Sequence, residues 1–208
     1  MKEIILLACE LLSAGIPFLL TFIVYAHMQK TRGVGLKTGT TILVVMLALY
    51  VTAAFCVTGA GTLYDALRYR LALSPEQINL LPFYKEIDPV GYLLNIVLFL
   101  PLGILAPLLR GKRRPLLFTA GTGAGLSLLI ELSQLLNHRS TDIDDLILNT
   151  MGAILGFALY RVWDRGRKAR DHRESVSTAV FIISILVPFL GRFLLFNEMG
   201  LAAWLYGF

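Results

Sequence analysis

Between positions 130 and 151 the chain reads Ile-Glu-Leu-Ser-Gln-Leu-Leu-Asn-His-Arg-Ser-Thr-Asp-Ile-Asp-Asp-Leu-Ile-Leu-Asn-Thr-Met. Glu131 and Gln134 stand near the end of one apolar run. His138 and Arg139 occupy a polar turn, and Asp142, Asp144, Asp145 and Asn149 open a second apolar run. Ionisable groups so close to membrane-length segments are expensive, so they are usually paired or functional. Ser127, Glu131 and Gln134 are spaced four and three apart, which puts them on one helix face, and Asp142, Asp145 and Asn149 are spaced three and four. Arg139 lies between the two stripes and is expected to reach a carboxylate of either, and a bidentate guanidinium–carboxylate pair would fix the hairpin.

Several chemistries suit these residue types. Arg139 fits an anionic headgroup, with Asn95, Gln134 and Asn149 adding hydrogen bonds. Glu131, Asp142 and Asp145 are the candidates if the chain is an enzyme, with Glu131 as general base. The same three acids are hard oxygen ligands suited to Mg²⁺ or Ca²⁺. Arg139 beside them argues for ion pairing instead, so no cofactor is expected and a cation at the acidic cluster is the lesser alternative. No His or Cys supports a zinc site. Carboxylates at a helix start also suit the macrodipole, and Thr141 with Asp144 or Asp145 resembles a capping arrangement. For Asp144 this structural role is the preferred reading, while Asp142 and Asp145 stand evenly between the two. Glu131 is hardest to explain by structure alone, because an unpaired carboxylate at that depth is costly.

The elements that must position these groups follow from composition. Of 208 residues 56% are hydrophobic, and the charges fall in short blocks between apolar runs. Each run approaches the roughly 20 residues a helix needs to cross about 30 Å of hydrocarbon. The reading is an all-α polytopic membrane protein with about six transmembrane helices, over residues 4–26, 41–62, 90–109, 116–136, 142–163 and 176–196. A short amphipathic interfacial helix is expected after the second span, with Leu63, Leu67 and Leu71 on one side. A further helix start is expected at Ser74-Pro75-Glu76-Gln77, and Asn79-Leu-Leu-Pro-Phe83 is expected to dip into or lie on the membrane. Small residues four apart, Gly121 with Gly125 and Gly152 with Gly156, predict close helix contacts. Three units are expected: two N-terminal spans over 1–62, a core over 63–163, and a basic loop, last span and tail over 164–208.

Charge sets the orientation. Three loops on one side carry Lys30, Arg32 and Lys37, then Arg110 to Arg114, then Arg161 to Arg173. The positive-inside rule makes that side cytoplasmic, so both termini and the acidic hairpin are expected outside. These span-end positions also account for the net charge of +5 without nucleic acid. Cys9 and Cys56 lie inside apolar runs and suggest neither a disulfide nor a metal site. Glu131, Asn95 and Asn149 fall roughly 7–10 Å below the outer ends of three different spans at 1.5 Å per residue, and Glu10 in the first span falls at a comparable level.

Together these segments resemble the VanZ-like family of bacterial membrane proteins. The resemblance is carried by Asn79-Leu-Leu-Pro-Phe83, by Asn95-Ile-Val-Leu-Phe-Leu-Pro-Leu-Gly103, and by Ser127 to Gln134 with Glu131. It continues through Arg139-Ser-Thr-Asp-Ile-Asp-Asp-Leu-Ile-Leu-Asn149, followed by Gly152 and Gly156. It spans about residues 79–160 and implies a cytoplasmic-membrane protein linked to resistance against lipidated glycopeptides of the teicoplanin type. The leading functional expectation is binding of a membrane lipid or lipopeptide in an outward pocket lined by Asn95, Glu131, Gln134, Arg139, Asp142, Asp145 and Asn149. The alternatives are an enzyme modifying an envelope lipid or cell-wall precursor, and a lipid transporter or flippase. Protein partners are not indicated.

Overall fold

The computed structural model describes residues 2–33, 35–68, 77–84, 88–110, 115–137, 139–165 and 176–207. The expected helix start at Ser74 to Glu76, together with Leu71, His138 and the basic residues 112–114 and 167–173, lies outside the described residues. Apolar surroundings force each backbone amide to bond within its own segment, so the apolar runs become helices. The described residues form eight: α1 (Lys2–Thr31), α2 (Thr38–Thr58), α3 (Leu63–Arg68), α4 (Pro89–Arg110), α5 (Pro115–Gln134), α6 (Ile143–Arg165), α7 (Thr178–Leu195) and α8 (Glu198–Tyr206). Six stretches are long and apolar enough to cross a membrane: α1, α2 with its continuation into α3, α4, α5, α6 and α7. The chain is a multi-pass membrane protein.

Alternating spans gather one set of connections at one end of the bundle, called here the hairpin end. It receives the α2–α3 turn, the 77–84 segment, the α5–α6 connection and the α7–α8 junction. Thr62 and Asp65 form a reciprocal box at the start of α3: the Thr62 amide donates to Asp65 Oδ2 at 2.8 Å and the Asp65 amide donates to Thr62 Oγ1 at 3.2 Å. The tail after the last span forms the helix α8, capped by Asn197 Oδ1 on the Gly200 amide and joined to α1 by Lys2 Nζ over the Tyr206 ring. One pairing was not expected from so apolar a chain. Ile78–Asn79 (β1) and Thr141–Asp142 (β2) form a two-residue parallel ladder, with Ile78 opposite Thr141 and Asn79 opposite Asp142.

The core joins Val44, Leu47, Val51 and Phe55 of α2 to Phe99, Leu102, Leu105 and Leu109 of α4, with Leu126 and Ile130 of α5 and Val180, Phe181 and Ile185 of α7. The closest crossing is that of the parallel pair α4 and α6. A Cβ at Gly152 would overlap the Ile96 carbonyl oxygen, one at Gly156 the Leu100 carbonyl, and one at Gly103 the Ala153 carbonyl. The expected Gly152 and Gly156 contact is therefore present. The expected Gly121 and Gly125 contact is not, since both are exposed with open space around them. Gly123, between them, is the α5 glycine that meets α6, against Ala153. Successive positions on a helix face differ by about 100°, so a shift of two residues turns the small stripe to the opposite side.

α1 and α7 are joined by an ion pair between buried Arg192 and partly buried Glu10. Arg192 Nε and Nη2 each lie 2.8 Å from Glu10 Oε1. Arg192 Nη1 also donates to the Ala60 carbonyl in the α2–α3 turn. Glu10 is thereby given a partner that the sequence reading had not identified. Arg192 is the only Asp, Glu, Lys or Arg between positions 176 and 196, as Glu10 is between 4 and 26. A lone cation and a lone anion in separate spans were the signal for this pair.

Two outcomes follow for stability. Gly156→Leu is expected to abolish recovery of folded protein after detergent extraction, whereas Gly121→Leu, which meets open space, leaves recovery and thermal midpoint unchanged. Arg192→Leu is expected to lose up to about 3 kcal/mol by leaving Glu10, largely out of solvent, without its cation. Combining it with Glu10→Leu should recover most of that loss in a thermal-unfolding double-mutant cycle. Additive losses would show that the two side chains do not act as a pair.

Candidate functional site

The α5–α6 connection is held by Glu131, which is 3% exposed. Its Oε2 accepts the Asp142 amide at 3.0 Å, and its main-chain carbonyl accepts Thr141 Oγ1 at 2.9 Å. One residue near the end of α5 therefore grips both residues of β2. Asp142 in turn is the cap of α6, its Oδ1 accepting the Asp144 amide at 3.1 Å. The cap expected at Thr141 is displaced by one residue, because the Thr141 hydroxyl is directed back to Glu131. The same Asp142 Oδ1 accepts Asn79 Nδ2 at 3.0 Å, across the β1–β2 ladder.

Asp144 is equally buried, and both its oxygens are occupied. Oδ1 accepts the Phe83 amide at 2.8 Å and Oδ2 accepts the Tyr92 hydroxyl at 2.7 Å. Phe83 has φ 56°, a left-handed conformation unfavourable for an aromatic residue, and the bond to Asp144 helps hold it there. Its ring meets Tyr92 edge-on at 6.1 Å. Asp144 thus joins the 77–84 segment and the first turn of α4 to α6, a structural role other than the capping one expected for it.

Further down the same helix Asp145 Oδ1 accepts Asn95 Nδ2 of α4 at 2.5 Å. One turn below, Asn149 Nδ2 donates to Ser127 Oγ of α5 at 2.9 Å. Asn149 Oδ1 is buried and has no hydrogen-bond partner among the described residues. Asn95, Ser127, Glu131, Asp142, Asp145 and Asn149 therefore lie along the seams that α6 makes with α4 and α5. Among the described residues no group of three or more His, Cys, Asp or Glu side chains is arranged to hold a metal ion.

Two of the expected members are elsewhere. Gln134 Nε2 and Arg139 Nη1 both donate to the Thr58 carbonyl at 2.7 Å, and the Arg139 guanidinium lies over Gly59. Asn137 Nδ2 donates to the Gly59 carbonyl at 3.0 Å, and Ser133 Oγ accepts the Gly61 amide at 3.1 Å. The expectation that Arg139 reaches a carboxylate stripe is corrected. The last carbonyls of α2, left over at a helix end, attract the cation and the amides instead. Gln134, the last residue of α5 before the 3₁₀ turn at Leu135–Asn137, shares this role. Tyr92 and Asn79 were not among the expected site residues. Only the β1–β2 ladder and the approach of α4, both long-range, bring them to the acids.

Asp144→Ala is expected to release the 77–84 segment while leaving the six spans folded. Limited proteolysis of detergent-solubilised protein checks this by new cleavage within 77–84 with an unchanged elution volume on size exclusion.

No curated protein and no solved structure is significantly similar to the chain. A sequence model of the VanZ/LLP1 family matches residues 16–164. That match takes in the second half of α1, α2 to α5, all but the last residue of α6 and every residue of the cluster just described. The chain belongs to the VanZ/LLP1 family.

Proposed function

We propose that the polar seam around the start of α6 binds the headgroup of an amphiphile, a membrane lipid or a lipopeptide of the teicoplanin type, with the hairpin end facing outward from the cytoplasmic membrane. The observation that carries this reading is the meeting of Asn95, Ser127, Glu131, Asp145 and Asn149 from three spans, with the Asn149 Oδ1 acceptor buried and unpartnered among the described residues. Polar side chains within spans are costly unless they face other helices or a wet cavity, and such clusters mark substrate positions. A donor group of the ligand, such as a hydroxyl, amide or ammonium, would satisfy Asn149. Asn95 and Asp145 lie one turn nearer the hairpin end and would meet the next polar group. Arg139 is exposed, gives one N–H to Thr58, and keeps further donors for an anionic group at the mouth. The antibiotic class in this reading rests on the family resemblance, and the headgroup level on the outward orientation proposed for the hairpin end.

The test is teicoplanin susceptibility of cells expressing Glu131→Gln, Asp145→Asn, Asn149→Leu or Arg139→Ala at wild-type membrane levels. Asp145→Asn and Asn149→Leu are expected to remove most of any protection. Arg139→Ala is expected to weaken it by about tenfold or less, as one solvated charge contact contributes about 1 kcal/mol. Unchanged susceptibility in all four would exclude this seam as the binding site.

A further inference from the structure

Beyond the α6 seam, the hairpin end carries a second recess. A groove of about 430 Å³ opens between α3 and α8, lined by Tyr64, Asp65 and Arg68 on one wall and Asn197, Glu198 and Met199 on the other. We propose that this groove binds the headgroup of a zwitterionic aminophospholipid, with Arg68 on the phosphate and Glu198 on the ammonium.

The volume lies within the roughly 300–1,000 Å³ typical of small-ligand sites, which admits a lipid headgroup. The charges select its chemistry. Asp65 is committed to Thr62, whose amide and hydroxyl both donate to its Oδ2 at 2.8 Å. Asn197 is committed through Oδ1 to the Gly200 amide. Arg68 and Glu198 remain. Both are exposed, and they share the groove without forming an ion pair with each other or with any other described residue. A cation and an anion on opposite walls match a ligand that carries both signs. A purely anionic headgroup would face Glu198, and a quaternary ammonium would offer it no N–H.

The walls are anchored independently, so the separation of the charges is built in. α3 is fixed by its Thr62–Asp65 box, and α8 by its Asn197 cap and by Lys2 against Tyr206. The position also suits a lipid. Leu67 on α3 is 66% exposed and Trp204 on α8 is 77% exposed. Aromatic and leucine side chains so presented beside span ends belong at the headgroup level of a bilayer. An aliphatic chain leaving the groove would meet the exposed apolar flank of the bundle.

Native mass spectrometry of the full-length protein in detergent tests this. The probes are palmitoyl-oleoyl phosphatidylethanolamine, phosphatidylcholine and phosphatidylglycerol. The wild type is expected to retain one phosphatidylethanolamine with about tenfold preference over the other two. Arg68→Gln should lower retention of both phosphatidylethanolamine and phosphatidylglycerol. Glu198→Gln should lower phosphatidylethanolamine alone, and exchanging the charges, Arg68→Glu with Glu198→Arg, should restore it. Equal retention of all three lipids by the wild type, or single variants that retain phosphatidylethanolamine as the wild type does, would overturn the proposal. Displacement of the lipid by an equal concentration of glycerophosphoethanolamine would overturn its lipid character. Teicoplanin susceptibility is unaffected by these variants if the two sites are separate, so failure here is distinguishable from failure at the α6 seam.

Discussion

The arrangement depends on two helix backbones that touch. α4 and α6 run parallel and cross where Gly103, Gly152 and Gly156 leave no side chain between them. Without a hydrophobic driving force between helices in lipid, such contact is gained by shape and close packing. Its effect reaches the hairpin end. With the helices this close, Asn95 can bond Asp145 and Tyr92 can bond Asp144 without intervening water. A wider crossing would leave the carboxylates of α6 short of their donors on α4.

The acids at the start of α6 look alike in sequence and differ in work. Asp142 caps its own helix and holds Asn79. Asp144 is closed off by the Phe83 amide and the Tyr92 hydroxyl. Asp145 faces the seam and holds Asn95. Asp142 lies in β2, ahead of the helix, and the 100° step between Asp144 and Asp145 sends those two in different directions. Glu131 stands behind them and fixes the backbone of β2, so its carboxylate positions the acids as well as joining the cluster.

Much of this was legible from local pattern. Apolar runs bounded by charges gave six spans, and spacing placed Ser127 with Glu131 and Asp145 with Asn149. The parts that were not legible are those set by distant partners. Gln134 kept the helical spacing of its stripe but stands at the very end of α5, where the Thr58 carbonyl of α2 is within reach of its amide. Arg139 was drawn to helix-end carbonyls, whose partial negative charge has no signature in the side-chain sequence. The glycine pair at 121 and 125 had the right spacing on the wrong face. Arg192 was legible in principle, as the single ionisable residue of its span, but only when read together with Glu10.

The bonds around the α2–α3 turn also impose an order on biosynthesis. The Thr58 carbonyl receives Gln134 and Arg139, which lie 76 and 81 residues later in the chain, and Ala60 receives Arg192 after a further delay, at a separation of 132. Domains form while synthesis proceeds from the N-terminus. The end of α2 must therefore keep its carbonyls hydrated until the ribosome has delivered the α5–α6 connection. Glu10 waits longest, since its guanidinium lies 182 positions downstream. During that interval the first span carries a carboxyl group with no cation to meet it. The nascent chain must hold that part of the span near the water boundary until the last helix arrives.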